Sequence, residues 1–342
     1  MVNPYRGREA RAFWSGAVAD RHCTAMTDLW DPIALSRHDR IATAGSCFAQ
    51  HIGNALTRRG ADFLDCEPAP PVFASGDEAR RFGYGLFSCR YGNIYTARQM
   101  RQLVEEAYGH RRPNEAIWTR DGRFFDALRP AVDPAGHASA DTVARARQLH
   151  LAAVRTMLET MDLLVFTLGL TECWESLLDG TVYPTAPGTL AGAFDPALHA
   201  FRNLRHADVL EDMEALIALI QAVNPAARIL LTVSPVPLVA TASGGHVLPA
   251  TVRSKSILRA VAGELADSHD HVAYFPSYEI ITAHPARGMF FDPDLRTVNA
   301  LGVEQVMAQF FSGSLAQAFA PADAQAPMPE AICDEDRVAE TL

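Results

Sequence analysis

The 342-residue chain carries 40 acidic and 30 basic side chains, a formal net charge of −10 at pH 7, and 49% of its residues are hydrophobic. This composition is ordinary for a globular protein, and the length fits one large α/β domain or two smaller ones. The acidic balance argues against nucleic acid as the main partner, because phosphate binding needs clustered positive charge, and no apolar run reaches the roughly 18 residues of a membrane span.

Along the chain, short apolar runs of strand length alternate with segments of helical period. The strands are predicted at Arg40–Ala44, Ala61–Asp65, Asp162–Leu168, Arg228–Val233 and His271–Phe275. The helices are predicted at Cys47–Arg58, Thr96–Tyr108, Ala140–Met161, Ala207–Val223, Thr251–Ser268 and Gly302–Phe319. This alternation predicts an α/β fold in which a parallel sheet is covered by helices on both faces.

The remaining segments predict additions to this core, which we place at residues 39–319. Residues 1–38 lack the apolar segment of a signal peptide and are predicted to be an extension packed on the core. The gaps at 67–139 and 175–206 are too long for plain loops and indicate insertions. Aromatic residues at the second gap either form stacking surfaces for a ligand or pack the insertion onto the core: Trp174, Tyr183 and Phe194. Residues 320–342, rich in Ala, Pro and acidic residues, are predicted to be a disordered tail.

Cysteine and lysine usage gives two further indications. The six cysteines are scattered, with no Cys-x-x-Cys pair or other metal-ligand spacing, which favours reduced thiols in a cytoplasmic protein without a metal or other cofactor. Of the 30 basic residues, 29 are arginine and only Lys255 is lysine. This lysine has either a specific task or no task beyond chance retention in an arginine-biased composition.

Ser46 occupies a position suited to a nucleophile. It follows the first predicted strand and precedes the first predicted helix, at the sheet edge where parallel α/β folds bind ligands. The free N–H groups of a helix N-terminus favour negative charge, and Gly45 before it permits an unusual backbone angle or a close approach. We expect the Ser46 side chain to lie in a solvent-reachable pocket. Two alternatives are that Ser46 only caps the helix and that the neighbouring Cys47 is the nucleophile.

The stretch Gly45–Ala49 reads GSCFA, and the chain resembles the GSCFA family over roughly residues 38–312. Further stretches that resemble family signatures follow in order: YGNIYTARQ (91–99), VFTLGLTECW (165–174), LTVSPVPL (231–238), SKSILR (254–259) and FPSYEI (275–280). The family is similar to the SGNH/GDSL hydrolases. This resemblance implies a three-layer α/β/α sandwich, SGNH-hydrolase or flavodoxin-like, with a five-stranded parallel sheet and helical and loop insertions.

The same resemblance implies roles for individual residues. Ser46 matches the nucleophile, and Gly92 matches the glycine whose N–H helps to bind the oxyanion, with Asn93 as a further donor. Thr171 stands where the hydrolases have an asparagine, and its hydroxyl can still donate one hydrogen bond, so Thr171→Val is expected to slow turnover. Glu172 is expected to order the loop rather than to react.

The last hydrolase block departs from the family pattern. Asp294 is present, but the position of the catalytic histidine, three residues later, holds Thr297. Because serine needs a base at neutral pH, either another imidazole has replaced it or the site is impaired. His246 and His284 are the candidates, since both lie in loops predicted at the active-site edge. Lys255 follows the first of these loops, where it binds an anionic substrate group or pairs with a loop carboxylate.

Two functions therefore remain open at this stage. The first is a serine-dependent ester hydrolase or O-acyl(acetyl)transferase acting on a carbohydrate or a small acyl ester, through an acyl-Ser46 intermediate. The alternative is a catalytically impaired, carbohydrate-binding or scaffolding protein in polysaccharide biosynthesis, which the missing histidine would explain. The acyl group, the acceptor and the oligomeric state do not follow from the sequence.

Overall fold

The chain folds into a mixed α/β core with a central parallel sheet. The computed structural model describes residues 3–319 and 329–335. Its strands are β1 Ile41–Gly45, β2 Ile117–Arg120, β3 Arg123–Asp126, β4 Leu163–Leu168, β5 Glu172–Ser176, β6 Val182–Tyr183, β7 His199–Asn203, β8 Arg228–Val233 and β9 Val272–Phe275. Its helices are α1 Phe48–Arg58, α2 Gly76–Arg81, α3 Ala97–Ala107, α4 Ala140–Thr160, α5 His206–Val223, α6 Val247–Ser268, α7 Ser277–Thr282, α8 Ala300–Phe310 and α9 Gly313–Ala318.

The central sheet has the strand order β1-β4-β8-β9, and every neighbouring pair is parallel. All six residues of β4 are buried because both faces of this strand are covered. Leu164 and Phe166 pack into the apolar cluster that contains residues of α3, α4, α5 and α6, whereas Leu163 and Val165 pack into the cluster with residues of α1, α7 and α8. The alternation between the two clusters follows from the two-residue period of a strand.

The expected fifth strand at Ala61–Asp65 is wrong within the described residues. Phe63 makes one isolated parallel bridge to Ile41, after which the backbone N–H of Cys66 turns away to donate to the Ser88 carbonyl oxygen. Prolines at positions 68, 70 and 71 follow, and proline has no N–H to extend a ladder. The sheet consequently has four strands rather than five.

The two long gaps hold small antiparallel sheets. The hairpin β2–β3 lies in the first gap, and the sheet β6-β5-β7 covers the second. The hairpin is tied to α4 by a buried ion-pair network in which Arg147 contacts both Asp126 and Glu106. Such a network holds an insertion firmly only because each buried charge has a partner.

The aromatic residues of the second gap pack mainly against one another. Tyr183 is fully buried against Trp118, and Trp174 contacts Phe194 and Phe201 edge-on. These contacts match the packing role that was one of the two readings of the aromatic residues.

The two ends of the described chain both pack on the core. In the N-terminal extension, the Trp30 ring contacts Phe275 and Phe310, and its indole N–H donates to the Gln309 carbonyl oxygen at 2.8 Å. Residues 329–335 depart from the expected disordered tail, because Cys333 and Asp334 are buried against the domain. The rest of that predicted tail, 320–328 and 336–342, lies outside the described residues. None of the helices described is long and apolar enough to cross a membrane.

Candidate active site

Ser46 lies in the turn between β1 and α1, at the carboxyl edge of the sheet, as the sequence predicted. Gly45 makes this turn possible. Its φ is +128°, and a Cβ there would overlap the backbone of Thr167 in β4. Only glycine tolerates both conditions, so Gly45 brings Ser46 directly against the neighbouring strand, where the Ser46 N–H donates to the Thr167 carbonyl oxygen at 3.1 Å.

The Ser46 hydroxyl is buried and unpaired. The residue is only 3% exposed, and its Oγ has no hydrogen-bond partner among the described residues. The expectation of a solvent-reachable side chain is therefore wrong for this structure. A buried hydroxyl without a partner costs about 1–3 kcal/mol, so its presence in a native protein calls for an explanation.

Lys255 contacts a glycine that packs on this serine. Its ammonium nitrogen is buried in α6 and donates to the Gly169 carbonyl oxygen at 2.5 Å. Gly169 in turn packs on Ser46, because a Cβ at Gly169 would lie 3.1 Å from the Ser46 Cβ. Burial lowers the pKa of Lys255 to about 8, so a substantial fraction of the amine is neutral just above neutral pH.

The glycine and asparagine of the YGN stretch lie at the same edge. The Ile94 N–H donates to the Gly45 carbonyl oxygen at 2.8 Å, which joins this stretch to the end of β1. Gly92 has a φ of +70°, and its N–H donates no hydrogen bond within the described residues. The Asn93 side-chain amide donates to the Ile332 carbonyl oxygen at 3.2 Å. Both groups are hydrogen-bond donors in a stretch that is joined to the end of β1, one residue before Ser46.

Thr171 and Glu172 point into a different network. The Thr171 hydroxyl donates to the Asn203 side-chain oxygen at 2.8 Å rather than toward an open site. Glu172 accepts from the Thr241 hydroxyl at 2.7 Å and from the Asn203 amide at 3.3 Å. These bonds link β5 and β7 to the loop after β8, which is the ordering role expected for Glu172. The geometry gives Thr171 the same kind of role.

The candidate histidines are engaged elsewhere. His246 caps the N-terminus of α6, where its ring accepts from the Leu248 N–H at 3.1 Å. This cap lies nine residues before Lys255, roughly 13 Å along the helix at 1.5 Å per residue. His284 stacks on Trp14 of the N-terminal extension, with 5.3 Å between ring centroids.

Asp294 does not hold an imidazole either. Its carboxylate accepts from the backbone N–H groups of Arg296 and Thr297, and from the Thr297 hydroxyl at 2.6 Å. These hydrogen bonds lower its pKa and fold the carboxylate back onto its own loop. Thr297 thus holds the Asp294 carboxylate in a local turn.

Residues 329–335 cover the site. The Ile332 carbonyl oxygen accepts from the Gln50 side-chain amide at 2.7 Å, and the Ile332 N–H donates back to the Gln50 oxygen at 2.9 Å. Cys333 lies 3.7 Å from the Tyr95 hydroxyl, which accepts from the Asp334 N–H at 3.2 Å. The segment therefore contacts α1, which begins just after Ser46, and the stretch that follows Gly92.

The segment also affects the protonation of the thiol of Cys47, the alternative nucleophile. A hydrogen bond with Cys333, together with burial, raises the pKa of the Cys47 thiol well above its usual value. The thiol therefore stays protonated at neutral pH, and a protonated thiol is a poor nucleophile. This arrangement favours Ser46 as the reacting residue.

Sequence reasoning missed three participants. Gln50, Tyr95 and the buried end of the tail at Cys333 carried no signal in the sequence, because their roles come from contacts between distant segments. Lys255 was expected at the site as a residue that binds a substrate anion or pairs with a loop carboxylate, whereas its contact with the Gly169 carbonyl oxygen was not foreseen.

Comparison with known proteins agrees with the motifs. Residues 40–310 match the GSCFA family, so the chain belongs to this family. The match includes Ser46, Gly92, Lys255 and Asp294, and it ends before residues 329–335. No curated protein matches the chain.

Proposed function

We propose that this protein hydrolyses or transfers a small acyl ester, with Ser46 as the nucleophile and Lys255 as the group that takes its proton. The single observation that carries this proposal is the buried, unpartnered Ser46 hydroxyl, placed at a helix start and packed on the glycine that Lys255 contacts. The resemblance to SGNH/GDSL hydrolases supports ester chemistry and a carbohydrate ester as the substrate class.

The chemistry needs no group beyond those at the site. The neutral Lys255 amine accepts the proton as the Ser46 oxygen attacks the ester carbonyl, and the Gly92 N–H and Asn93 amide donate to the oxyanion. The tetrahedral intermediate then expels the alcohol, which takes the proton from Lys255, and leaves an acyl group on Ser46. Water completes a hydrolysis, whereas a second alcohol completes a transfer.

Lysine suits this task better than the distant histidines do. A base must come within hydrogen-bond reach of the hydroxyl, and both Lys255 and Ser46 already contact Gly169. A general base works best with a pKa near the working pH, and burial has moved that of Lys255 from 10.5 to about 8. We therefore expect activity to rise as the pH increases toward 8.

A non-catalytic carbohydrate-binding or scaffolding role is the second candidate. One observation favours it: Thr297 occupies the histidine position and closes onto Asp294. A protein that has lost its base would retain the cleft for binding and would show no reactive serine.

A fluorophosphonate probe distinguishes the two functions. We expect it to label the full-length protein at Ser46, with labelling lost in Ser46→Ala and slowed at least about 100-fold in Lys255→Met. Ser15→Ala, a change of an exposed serine, is the matched control and should label normally. Labelling is measured in the wild type and in Ile332→Pro, so that residues 329–335 do not hide a reactive serine. Absence of labelling in both folded proteins would favour the binding role.

A further inference from the structure

Residues 329–335 contact the two stretches next to Ser46, the start of α1 at Gln50 and the residue after Gly92. Two side-chain amides, those of Gln50 and Asn93, converge on the single carbonyl oxygen of Ile332. Asn93 is also the proposed oxyanion donor. While Ile332 holds this amide, an ester carbonyl cannot use it, so the segment and the substrate compete for the same donor.

An ion pair holds the end of the segment at Glu335. The Glu335 carboxylate pairs with Arg296 at 3.0 Å, and both side chains are largely shielded from solvent. Arg296 belongs to the loop that follows Asp294, and its Nε donates to the Pro237 carbonyl oxygen at 3.2 Å. The loop that carries the catalytic histidine in the resembled hydrolases here binds the chain's own C-terminal segment.

Burial supports the same conclusion. Cys333 is 7% exposed and Asp334 is 4% exposed, although both lie in a segment whose composition favours solvent. Cys333 lies against Cys47, the residue next to the candidate nucleophile, and the Ser46 hydroxyl beside it has no access to solvent. A nucleophile in this state cannot meet a substrate until something moves.

We propose that residues 329–335 are a built-in competitor, which occupies the candidate active-site cleft and closes Ser46 off from solvent until the segment leaves. The competition with substrate rests on the proposed function, whereas the covering of Cys47 and Ser46 does not. The contacts that hold the segment include the hydrogen bonds of Ile332 with Gln50 and Asn93, the packing of Ile332 on the apolar core and the partly buried pair of Glu335 with Arg296. Each contributes modestly, so release without unfolding of the domain is feasible.

The reactivity of Cys47 toward N-ethylmaleimide tests the cover without any reference to enzyme activity. In the full-length wild type, Cys47 should react slowly. Ile332→Pro removes the N–H that donates to Gln50 and should speed the reaction about tenfold or more, because the lost contacts amount to about 1–2 kcal/mol. Peptide mapping by mass spectrometry follows each thiol separately.

Matched variants separate release from unfolding. Glu335→Gln breaks the pair with Arg296 and should speed Cys47 alkylation several-fold, whereas Glu330→Gln makes the same chemical change at an exposed position and should not. Cys89 and Cys173 are buried in the apolar core of the domain and should stay protected in every variant. Faster reaction of these two thiols would reveal unfolding.

The fluorophosphonate probe then tests the competition. Ile332→Pro should label Ser46 faster than the wild type does. Unchanged Cys47 alkylation in Ile332→Pro would overturn the proposal, and so would faster alkylation combined with slower Ser46 labelling, because the segment would then complete the site. Faster alkylation with no labelling in any variant would support the cover and contradict the proposed ester chemistry.

Discussion

Replacing Lys255 by methionine should weaken the pH dependence of the free energy of unfolding in the alkaline range. Methionine has a similar length, fills the buried space and carries no charge. Burial lowers the pKa of Lys255 from 10.5 to about 8, so folding disfavours the charged form of this amine. At about 1.36 kcal/mol per pKa unit, the difference corresponds to at most about 3 kcal/mol in the free energy of unfolding.

The direction of the effect follows from proton binding. Below pH 8 the amine is charged in both states, and the folded protein carries the full cost of burying it. Between pH 8 and 10.5 the unfolded chain keeps the proton while the folded chain has lost it, so the free energy of unfolding contributed by Lys255 rises with pH. The wild type should therefore gain stability relative to Lys255→Met across this window.

Urea unfolding at a series of pH values from 7 to 10.5 measures the difference. Subtracting the Lys255→Met curve removes the contributions of the other titrating groups. Lys255→Arg keeps a positive charge at every pH in the series, so this control should show no such gain. A wild-type minus Lys255→Met difference that stays flat between pH 8 and 10.5 would refute both the buried environment of the amine and its suitability as a base.

Three further predictions concern the surroundings of the site. Gly45→Ala should cost about 3 kcal/mol or more, or prevent folding, because its Cβ would overlap the backbone of Thr167; a loss below about 1 kcal/mol in thermal unfolding would contradict this. Burial lowers the pKa of His150 to about 4, so on acidification the histidine is protonated in the unfolded chain at a higher pH than in the folded protein. The free energy of unfolding should therefore fall as the pH drops from 6.5 to 4. In His150→Gln this fall should be less steep. Thr171→Val removes the bond to Asn203 and should cost about 1 kcal/mol in stability while changing turnover less than about tenfold, and a loss of 100-fold or more in an esterase assay would restore the oxyanion role expected from the sequence.

The amino-acid sequence determined the features that depend on local pattern. Nearly continuous apolar runs predicted the buried strands Leu163–Leu168 and Arg228–Val233 almost to the residue, because burial on both faces favours apolar side chains along the whole strand. The order strand, glycine, serine, helix predicted the place of Ser46. Gly45 was recognised in advance as the residue that permits a close approach.

Only the tertiary structure decided which side chains meet at Ser46. Lys255 contacts a carbonyl 86 positions earlier in the chain, and Ile332 contacts a glutamine 282 positions earlier. The predicted strand at Ala61–Asp65 failed for a related reason. Residues that favour an extended backbone form an edge strand only where they continue to pair with the neighbouring strand, and here the pairing stops after one bridge. Local periodicity fixes which face of an element is apolar, whereas the pairing of distant polar groups depends on how all the elements pack. That difference explains why the sequence located the candidate nucleophile and named Lys255, but missed the contact of Lys255 with Gly169 and the packing of residues 329–335 near the site.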